Sequence, residues 1–428
     1  MRGSRARLAG LVAYARTRSP YYRELYRHLP DHVDDPALLP PSTKARLMER
    51  FDDWVTDPAV TLAKVREFLA DPATIHRRFA GKYRVHTSSG TTGTRGVYLL
   101  DRRDRAVTAA LGLRFFLSLP TAGELAKVAA AGARTAVIVA VGGHFGSSVL
   151  VPEDGRARRN YRVFPATTPL PELVERLNRF RPAVVTGYAS VIALLAGEQQ
   201  AGRLRIDPVL VLPGSEGLPL SAYDSIAETF GATVRNGYAA TELMQPIGGC
   251  SRHWLHVNTD WALIEPVDED YRPTPPGRPS HTVLITNLAN RIQPFIRYDL
   301  GDSVVRWPDP CPCGNPRPTI RVQGRAADAL NLADASGAVV RLSPLALGAT
   351  VDRTPGVELY QIEQTAPTTL RVRLRAEARP DHVWRAVHDA ITGLLREHRL
   401  GHVTVERATE PPVQSAGGKY RRIIPLPG

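Results

Sequence analysis

Over the first eighty or so residues, hydrophobic positions recur in a helical rhythm with polar faces, punctuated by Pro30, Pro36, Pro40 and Pro41. From Tyr83 onward the pattern changes. Short apolar runs such as VYLL alternate with longer amphipathic segments: the Ala- and Leu-rich stretch 105–117, the run TAVIVAV over 135–141, then 171–180 followed by AVVTGY. The β-branched run 135–141 reads as a buried parallel strand. Strand, helix, strand in this order predicts α/β layering around a largely parallel sheet. Residues 281–305 read as successive strands (TVLITNL, then FIRYDLGDSVVRW). Beyond Gly324 a second rhythm begins, with VELYQIEQ, TLRVRLRA, a helix over 381–398 and HVTVERA. The expected fold class is therefore α/β. A large N-terminal domain of layered β-sheets and helices spans 1–325, and a small C-terminal α+β domain spans 326–428, an ordinary size for such a unit.

Composition narrows the class. A chain of 428 residues that is 43% hydrophobic and 23% charged supports a sizeable core and gives no sign of disorder. No apolar run approaches the ~20 residues of a membrane helix, and the Arg-bearing N-terminus lacks the apolar stretch of a signal peptide. The expectation is a cytoplasmic protein with no membrane partner. The formal net charge of +13 raises the question of nucleic acid, but the basic residues are spread without a basic arm or interleaved aromatics. Small anionic ligands such as nucleotides are the expected partners. A non-catalytic basic protein binding nucleotide or nucleic acid is the rival from another class. Three cysteines exclude a disulfide framework.

Two stretches carry candidate chemistry. Residues 87–96 read TSSGTTGTRG, and Ser88, Ser89, Gly90, Thr91, Thr92 and Gly93 offer hydroxyl donors and close backbone approach to a polyphosphate. The Walker pattern is absent. Residues 236–242 read NGYAATE. Within it, Tyr238 offers a flat face for a purine, Thr241 a bond to a phosphate oxygen, and Glu242 a hard ligand for Mg²⁺.

Together these stretches resemble the adenylate-forming superfamily of acyl-CoA synthetases, nonribosomal adenylation domains and luciferases, whose phosphate loop reads approximately [ST]SGTTGxPK. Arg95 and Gly96 stand where the Pro-Lys end belongs. The phenylacetate-CoA ligase-like branch often lacks that lysine, and TRSPYYRELY and LPPSTKARLMERFDDW also look like its N-terminal part. The resemblance covers nearly the whole chain. It implies that the loop, Asn236, Gly237, Tyr238 and Thr241 bind ATP, with Glu242 holding Mg²⁺. Gly214, Ser215 and Glu216 in PGSEGL match the turn on the adenine side. Asp302 in RYDLGD and Arg325 in GRAAD are implied to contact the ribose, with Ala327 at the pivot between domains. Lys419 in GGKYRR matches the catalytic lysine carried by a small mobile domain.

Cys250, His256, Cys311 and Cys313 make a Cys₃His set, the closed geometry of structural zinc, with His253 as a rival fourth ligand. Some members of the same branch carry a similar arrangement. Strand ends line the ligand crevice in open α/β sheets, so His144, Phe145 and Tyr188 are candidate pocket residues. The motifs imply that Gly214, Ala239 and Ala240 share the pocket. The expected activity is ATP-dependent activation of a small carboxylic acid, aromatic by analogy with the branch, to an acyl-AMP with release of pyrophosphate. Thr241, Glu242 and Lys419 would act in catalysis. CoA is the expected acceptor; an amine, hydroxyl or carrier-protein thiol is the alternative. A homodimer stays open.

Overall fold

The computed structural model describes residues 2–75, 77–87, 96–118, 121–146, 159–218, 220–325, 329–342, 344–352, 354–376, 379–414 and 420–426. Among the expected site residues, Ser88, Ser89, Gly90, Thr91, Thr92, Gly93 and Lys419 lie outside this set, as does the pivot at Ala327.

The N-terminal helices Arg2–Arg18, Pro20–Leu25, Lys44–Glu49, Phe51–Trp54 and Leu62–Ala70 are punctuated as the sequence predicts. Ser19, Thr43 and Thr61 cap the second, third and fifth by accepting from Tyr22, Arg46 and Lys64 N–H. Leu8, Leu11, Val12 and Ala15 bury one face of the first helix, each fully buried aliphatic contributing about 1.5–3 kcal/mol. Trp54 Nε1 and the Tyr22 hydroxyl both donate to the Pro294 carbonyl, at 2.9 and 2.7 Å. The start of the chain is thereby fastened to a turn nearly three hundred residues away.

A hairpin of Arg84–Thr87 and Val97–Leu100 follows, with Thr87 opposite Val97. Residues 88–96 are its connection. The central layer is a five-stranded, fully parallel sheet in the order Tyr161–Pro165, Thr135–Val139, Val184–Tyr188, Leu210–Gly214, Thr233–Val234. Ala136, Val137, Ile138 and Val139 are essentially inaccessible, as expected for a strand covered on both faces. Helices Leu170–Phe180, Ala189–Gln200 and Leu220–Phe230 supply the crossovers.

Two antiparallel sheets complete this part. One has the order Asp302–Arg306, Thr319–Arg325, Leu255–His256, Leu243–Gly249, Gly237–Ala240. The other joins Ala262–Val267, Thr282–Asn287 and Tyr298–Asp299. The expected strand FIRYDLGDSVVRW is thus split into two pieces on different sheets. Gly301, at φ 75°, turns the chain between them.

The last hundred residues bury a cluster of their own. Strands Val357–Ala366 and Thr369–Ala376 pair antiparallel, with Thr404–Arg407 and Ile423–Ile424 added in parallel at the two edges. Helix Pro380–Glu397 lays Val383, Val387, Ile391 and Leu395 on that sheet, the i, i+4 stripe of an amphipathic helix. No single helix among the described residues is long and apolar enough to cross a membrane.

Candidate active site and metal cluster

Glu242 follows the strand Gly237–Ala240, and two phenols hold its carboxylate. Tyr98 and Tyr298 donate to the same oxygen, Oε1, at 2.7 and 3.0 Å. Burial, and then Glu242 itself, raises the Tyr298 phenol far above its ordinary range, so it stays protonated and donates. Both lone pairs of Oε1 are engaged, and any cation must approach through Oε2.

Tyr238, four residues earlier, donates to Asp302 Oδ2 at 2.5 Å, and Arg325 Nε lies 3.4 Å from Oδ1. Burial, followed by the neighbouring Asp302, raises the Tyr238 phenol well above its usual value. Tyr238, Asp302 and Arg325, expected near a nucleotide, therefore form one connected group drawn from the NGYAATE, RYDLGD and GRAAD stretches.

Asn236 holds its backbone on Gly249 N at 2.9 Å, and its Oδ1 is buried without a hydrogen-bond partner among the described residues. A Cβ at Gly249 would stand 1.7 Å from that oxygen, so only glycine fits there. A Cβ at Gly248 would lie 2.1 Å from the Phe115 ring, which also sits 3.7 Å from the Cβ position of Gly237. Phe115 thus covers the backbone of the nucleotide stretch. It carries no sequence signal, being one apolar residue in a helix (Arg102–Leu117) of many.

The loop after Thr135–Val139 reaches the same place. A Cβ on Gly146 would be 3.3 Å from Thr241 Oγ1. Thr87 N–H donates to the His144 carbonyl at 2.7 Å, and Thr87 bridges Phe145, which ties the Arg84–Thr87 and Val97–Leu100 hairpin to this strand end. The imidazole of His144 faces the N-terminal helices: its Nε2 is 3.2 Å from Thr74 Oγ1, and its ring is 5.5 Å from that of Phe68.

Tyr188 requires a correction. It is 2% exposed, packs in the core of the parallel sheet, and its hydroxyl accepts from Ala140 N–H at 3.2 Å. Helices cover both faces of that sheet, so a residue at a strand's end can point into the core as readily as into the crevice. Ala239 is exposed and Ala240 half-buried beside Thr241.

Glu216 differs from the expected adenine contact. Its Oε2 accepts from Ser190 N–H at 2.9 Å and Ser190 Oγ–H at 2.6 Å, and its Oε1 accepts from Tyr420 N–H at 3.1 Å. The preceding Ser215 holds φ 64°, which turns the carboxylate back over the sheet end beyond Gly214.

Lys44 has no counterpart among the expected site residues. Ser42 bridges Tyr298, with Ser42 N–H on the Arg297 carbonyl at 2.9 Å and Asp299 N–H on the Ser42 carbonyl at 2.8 Å. This places the half-buried Lys44 within the field of both Glu242 and Arg325. Burial lowers its amine from the ordinary value, and Glu242 opposes that shift.

Beneath the site lies a polar core. Gln245 Nε2 donates to Asn287 Oδ1 at 2.8 Å, and Asn287 Nδ2 reaches the Glu242 carbonyl at 3.3 Å and Asp104 Oδ1 at 3.5 Å. Asn290 Nδ2 meets Asp104 Oδ2 at 3.3 Å. Burial, with Asp101 next, pushes the Asp104 carboxyl up to about 7.

On the outer edge, Cys250, His256, Cys311 and Cys313 bring one ligand atom each to within 4.8 Å of one another. The Cys250 and Cys311 sulfurs are 3.8 Å apart, and Cys313 Sγ is 3.2 Å from His256 Nε2. A tetrahedron with arms of about 2.3 Å has edges of about 3.8 Å, so the spacing suits such a centre. His256 Nδ1 lies 3.3 Å from the Arg317 carbonyl, which favours the tautomer with Nε2 open to a metal. His253 is turned away, stacked on Tyr223 at 5.1 Å with Nε2 3.4 Å from Asp224. The structure thus gathers His256 with the cysteines.

No protein-family model matches the chain. Phenylacetate-coenzyme A ligase of Thermus thermophilus is 26% identical over 469 residues, covering 98% of this chain and 95% of that one. A crystal structure of 2-hydroxyisobutyryl-CoA ligase in the postadenylation state, bound to R3-HIB-AMP, superposes with a TM-score of 0.70 at 20% identity, over 99% of this chain and 89% of that one. The chain carries the adenylate-forming ligase fold. The same ligase in its thioesterification state, with 2-HIB-AMP and CoA, superposes with a TM-score of only 0.58 at 22% identity, over 99% and 89% of the two chains.

Proposed function

We propose that the protein is an ATP-dependent acid-thiol ligase that converts a carboxylic acid to an acyl-AMP and then transfers the acyl group to CoA. The connected group Tyr238–Asp302–Arg325, with Glu242 held by Tyr98 of the strand pair Arg84–Thr87 and Val97–Leu100, is the observation that carries this reading. A carboxylate such as Asp302 suits the paired hydroxyls of a ribose. The unpaired Asn236 Oδ1 suits an exocyclic amino group. Glu242 Oε2 would hold Mg²⁺, which supplies charge neutralisation on the polyphosphate. Lys44 adds a cation on the side where the loop has no lysine.

The substrate carboxylate is already anionic and needs no general base. Its oxygen bonds to the α-phosphorus, and the bond to the pyrophosphate oxygen breaks. What this chain contributes is alignment and charge compensation, with Lys419 as the expected catalytic cation. In the second step the CoA sulfur bonds to the acyl carbon and AMP leaves. The acid would lie between Phe115 and the loop before Gly146, beside Ala239 and Ala240. The aromatic wall favours an aryl or arylacetic acid. The Cys₃His cluster, with four ligands and no open position, would hold a structural zinc. Residues 326–328 would serve as the hinge for the C-terminal part.

The test is incubation with ATP, Mg²⁺ and a panel of aromatic and short-chain acids, with and without CoA, read by mass spectrometry. An acyl-AMP that becomes an acyl-CoA supports the reading. An acyl-AMP indifferent to CoA removes the second step, and no adenylate with any acid removes the whole.

A further inference from the structure

One face of the first helix, Arg2–Arg18, opens onto a cavity of about 250 Å³ that none of the nucleotide group lines. Arg7, Gly10 and Leu11 of that helix border it, together with Arg103 from the first turn of Arg102–Leu117, and Leu288 and Arg291. We propose that this cavity is an anion site that binds a compact phosphate, with Arg7, Arg103 and Arg291 as its ligands. It is independent of the ligase reading above.

The floor is apolar and the rim is cationic. Leu11 and Leu288 are 3% and 1% exposed, and Leu288 N–H holds the Trp261 carbonyl at 3.0 Å. The Arg7 guanidinium lies 4.3 Å over the Trp261 ring, and that of Arg103 lies 5.4 Å from the same ring. Arg291 stacks on Tyr14 at 5.0 Å. Aromatic faces hold these side chains in place without cancelling their charge. A Cβ at Gly10 would meet nothing within 4 Å, so the space above the helix is open there.

The acids in the neighbouring sequence are engaged elsewhere. The Asp260 carboxylate takes Arg114 Nη1 at 2.9 and 3.3 Å, and leaves only its backbone carbonyl to Arg7 Nη1, at 3.0 Å. Asp101 Oδ1 caps the helix on Asp104 N–H at 2.8 Å, while its Oδ2 accepts from the N–H groups of Arg291 and Ile292 at 2.8 and 3.3 Å. Among the described residues no carboxylate forms an ion pair with Arg7, Arg103 or Arg291. Burial lowers the Arg103 guanidinium from its ordinary value, Arg291 and Arg7 lower it further, and Asp101 only opposes the shift. Three like charges thus face one another across one opening, and a multivalent anion relieves that repulsion. Planar guanidinium forks match phosphate oxygens in pairs. The volume falls below the roughly 300–1,000 Å³ of sites for larger ligands, which selects a compact anion over a whole nucleotide.

A rim that only decorates a basic surface would bind no anion in particular. The experiment titrates pyrophosphate and, separately, inorganic phosphate into the full chain in EDTA, by calorimetry and by thermal midpoint. It compares wild type, Arg103→Gln, the rim variant Arg7→Gln/Arg103→Gln/Arg291→Gln, and a control variant, Arg278→Gln/Arg385→Gln/Arg396→Gln. The control removes the same charge from exposed positions elsewhere. Any pyrophosphate held at the nucleotide group persists in the rim variant and subtracts out. Wild type and control are expected to bind one further anion per chain, with affinity reduced about tenfold or more in Arg103→Gln and lost in the rim variant. The anion should raise the thermal midpoint of wild type and control by a few degrees beyond any rise in the rim variant. The tighter of the two probes names the form the cavity takes. Binding of neither anion by wild type, equal binding by wild type and the rim variant, or an equal loss in the control overturns the proposal.

Discussion

The Tyr238 hydroxyl donates to Oδ2 of Asp302 at 2.5 Å, joining two stretches 64 residues apart into one carboxylate–phenol pair. This bond helps to fix the plane of the Asp302 carboxylate. Tyr238→Phe keeps the ring and removes the bond. A hydrogen bond to a charged group contributes roughly 1.5–3 kcal/mol, so ATP KM in pyrophosphate exchange is expected to rise about tenfold or more. An unchanged KM would show that this bond does not serve ATP binding.

Lys44 stands in the field of Glu242 although it belongs to the N-terminal helices. Lys44→Ala is expected to lower the exchange kcat by about 10²-fold, the scale of one preorganised electrostatic donor, with Lys44→Arg recovering part of it. Equal rates for Lys44→Ala and wild type would remove this amine from the chemistry.

The Cys₃His cluster predicts one bound zinc per chain by elemental analysis. Cys311 is 5% exposed and close to Cys250, so Cys311→Ser is expected to lose the metal and lower the thermal midpoint by roughly 10 °C or more. The kcat of the fraction that stays folded at low temperature should be little changed, because the cluster lies outside the nucleotide group. A metal-free wild type of equal stability would refute the assignment.

Asp104 predicts a pH dependence of stability. Its carboxyl is near 7 in the folded chain against 3.8 when exposed. Between those values the folded chain retains a proton that the unfolded chain has released, so stability falls as pH rises from about 4 to about 7 and levels off above. Asp104→Asn should flatten this slope in urea midpoints measured across that range. A slope identical to wild type would mean other groups cause it.

The elements were legible where burial alone decides them. The run TAVIVAV became a strand because a parallel strand covered on both faces demands continuous apolar residues, and 381–398 became a helix (Pro380–Glu397) because its apolar stripe repeats at i, i+4. The connections within the site were not legible. Tyr98 and Tyr298 meet Glu242 from 144 and 56 residues away, and nothing in either neighbourhood marks a tyrosine as a carboxylate's partner. Lys44 and Phe115 were missed for the same reason. Tyr188 was misjudged because a strand's end does not reveal which way its last side chain points. His256 and His253 could be separated only once the strand Leu255–His256 was seen to pair with Thr319–Arg325, which brings His256 to Cys313.

The shared grip of Tyr22 and Trp54 on the Pro294 carbonyl has a consequence for biosynthesis. The first helices emerge from the ribosome early, yet the group they fasten to is made only when about two-thirds of the chain exists. Until then Tyr22 and Trp54 lack the carbonyl that both of them bond in the folded chain, and the N-terminal helices must wait for that anchor. Slow translation across the residues just after Pro294, or a chaperone that shields the first sixty residues, should therefore govern how much of this protein reaches the folded state.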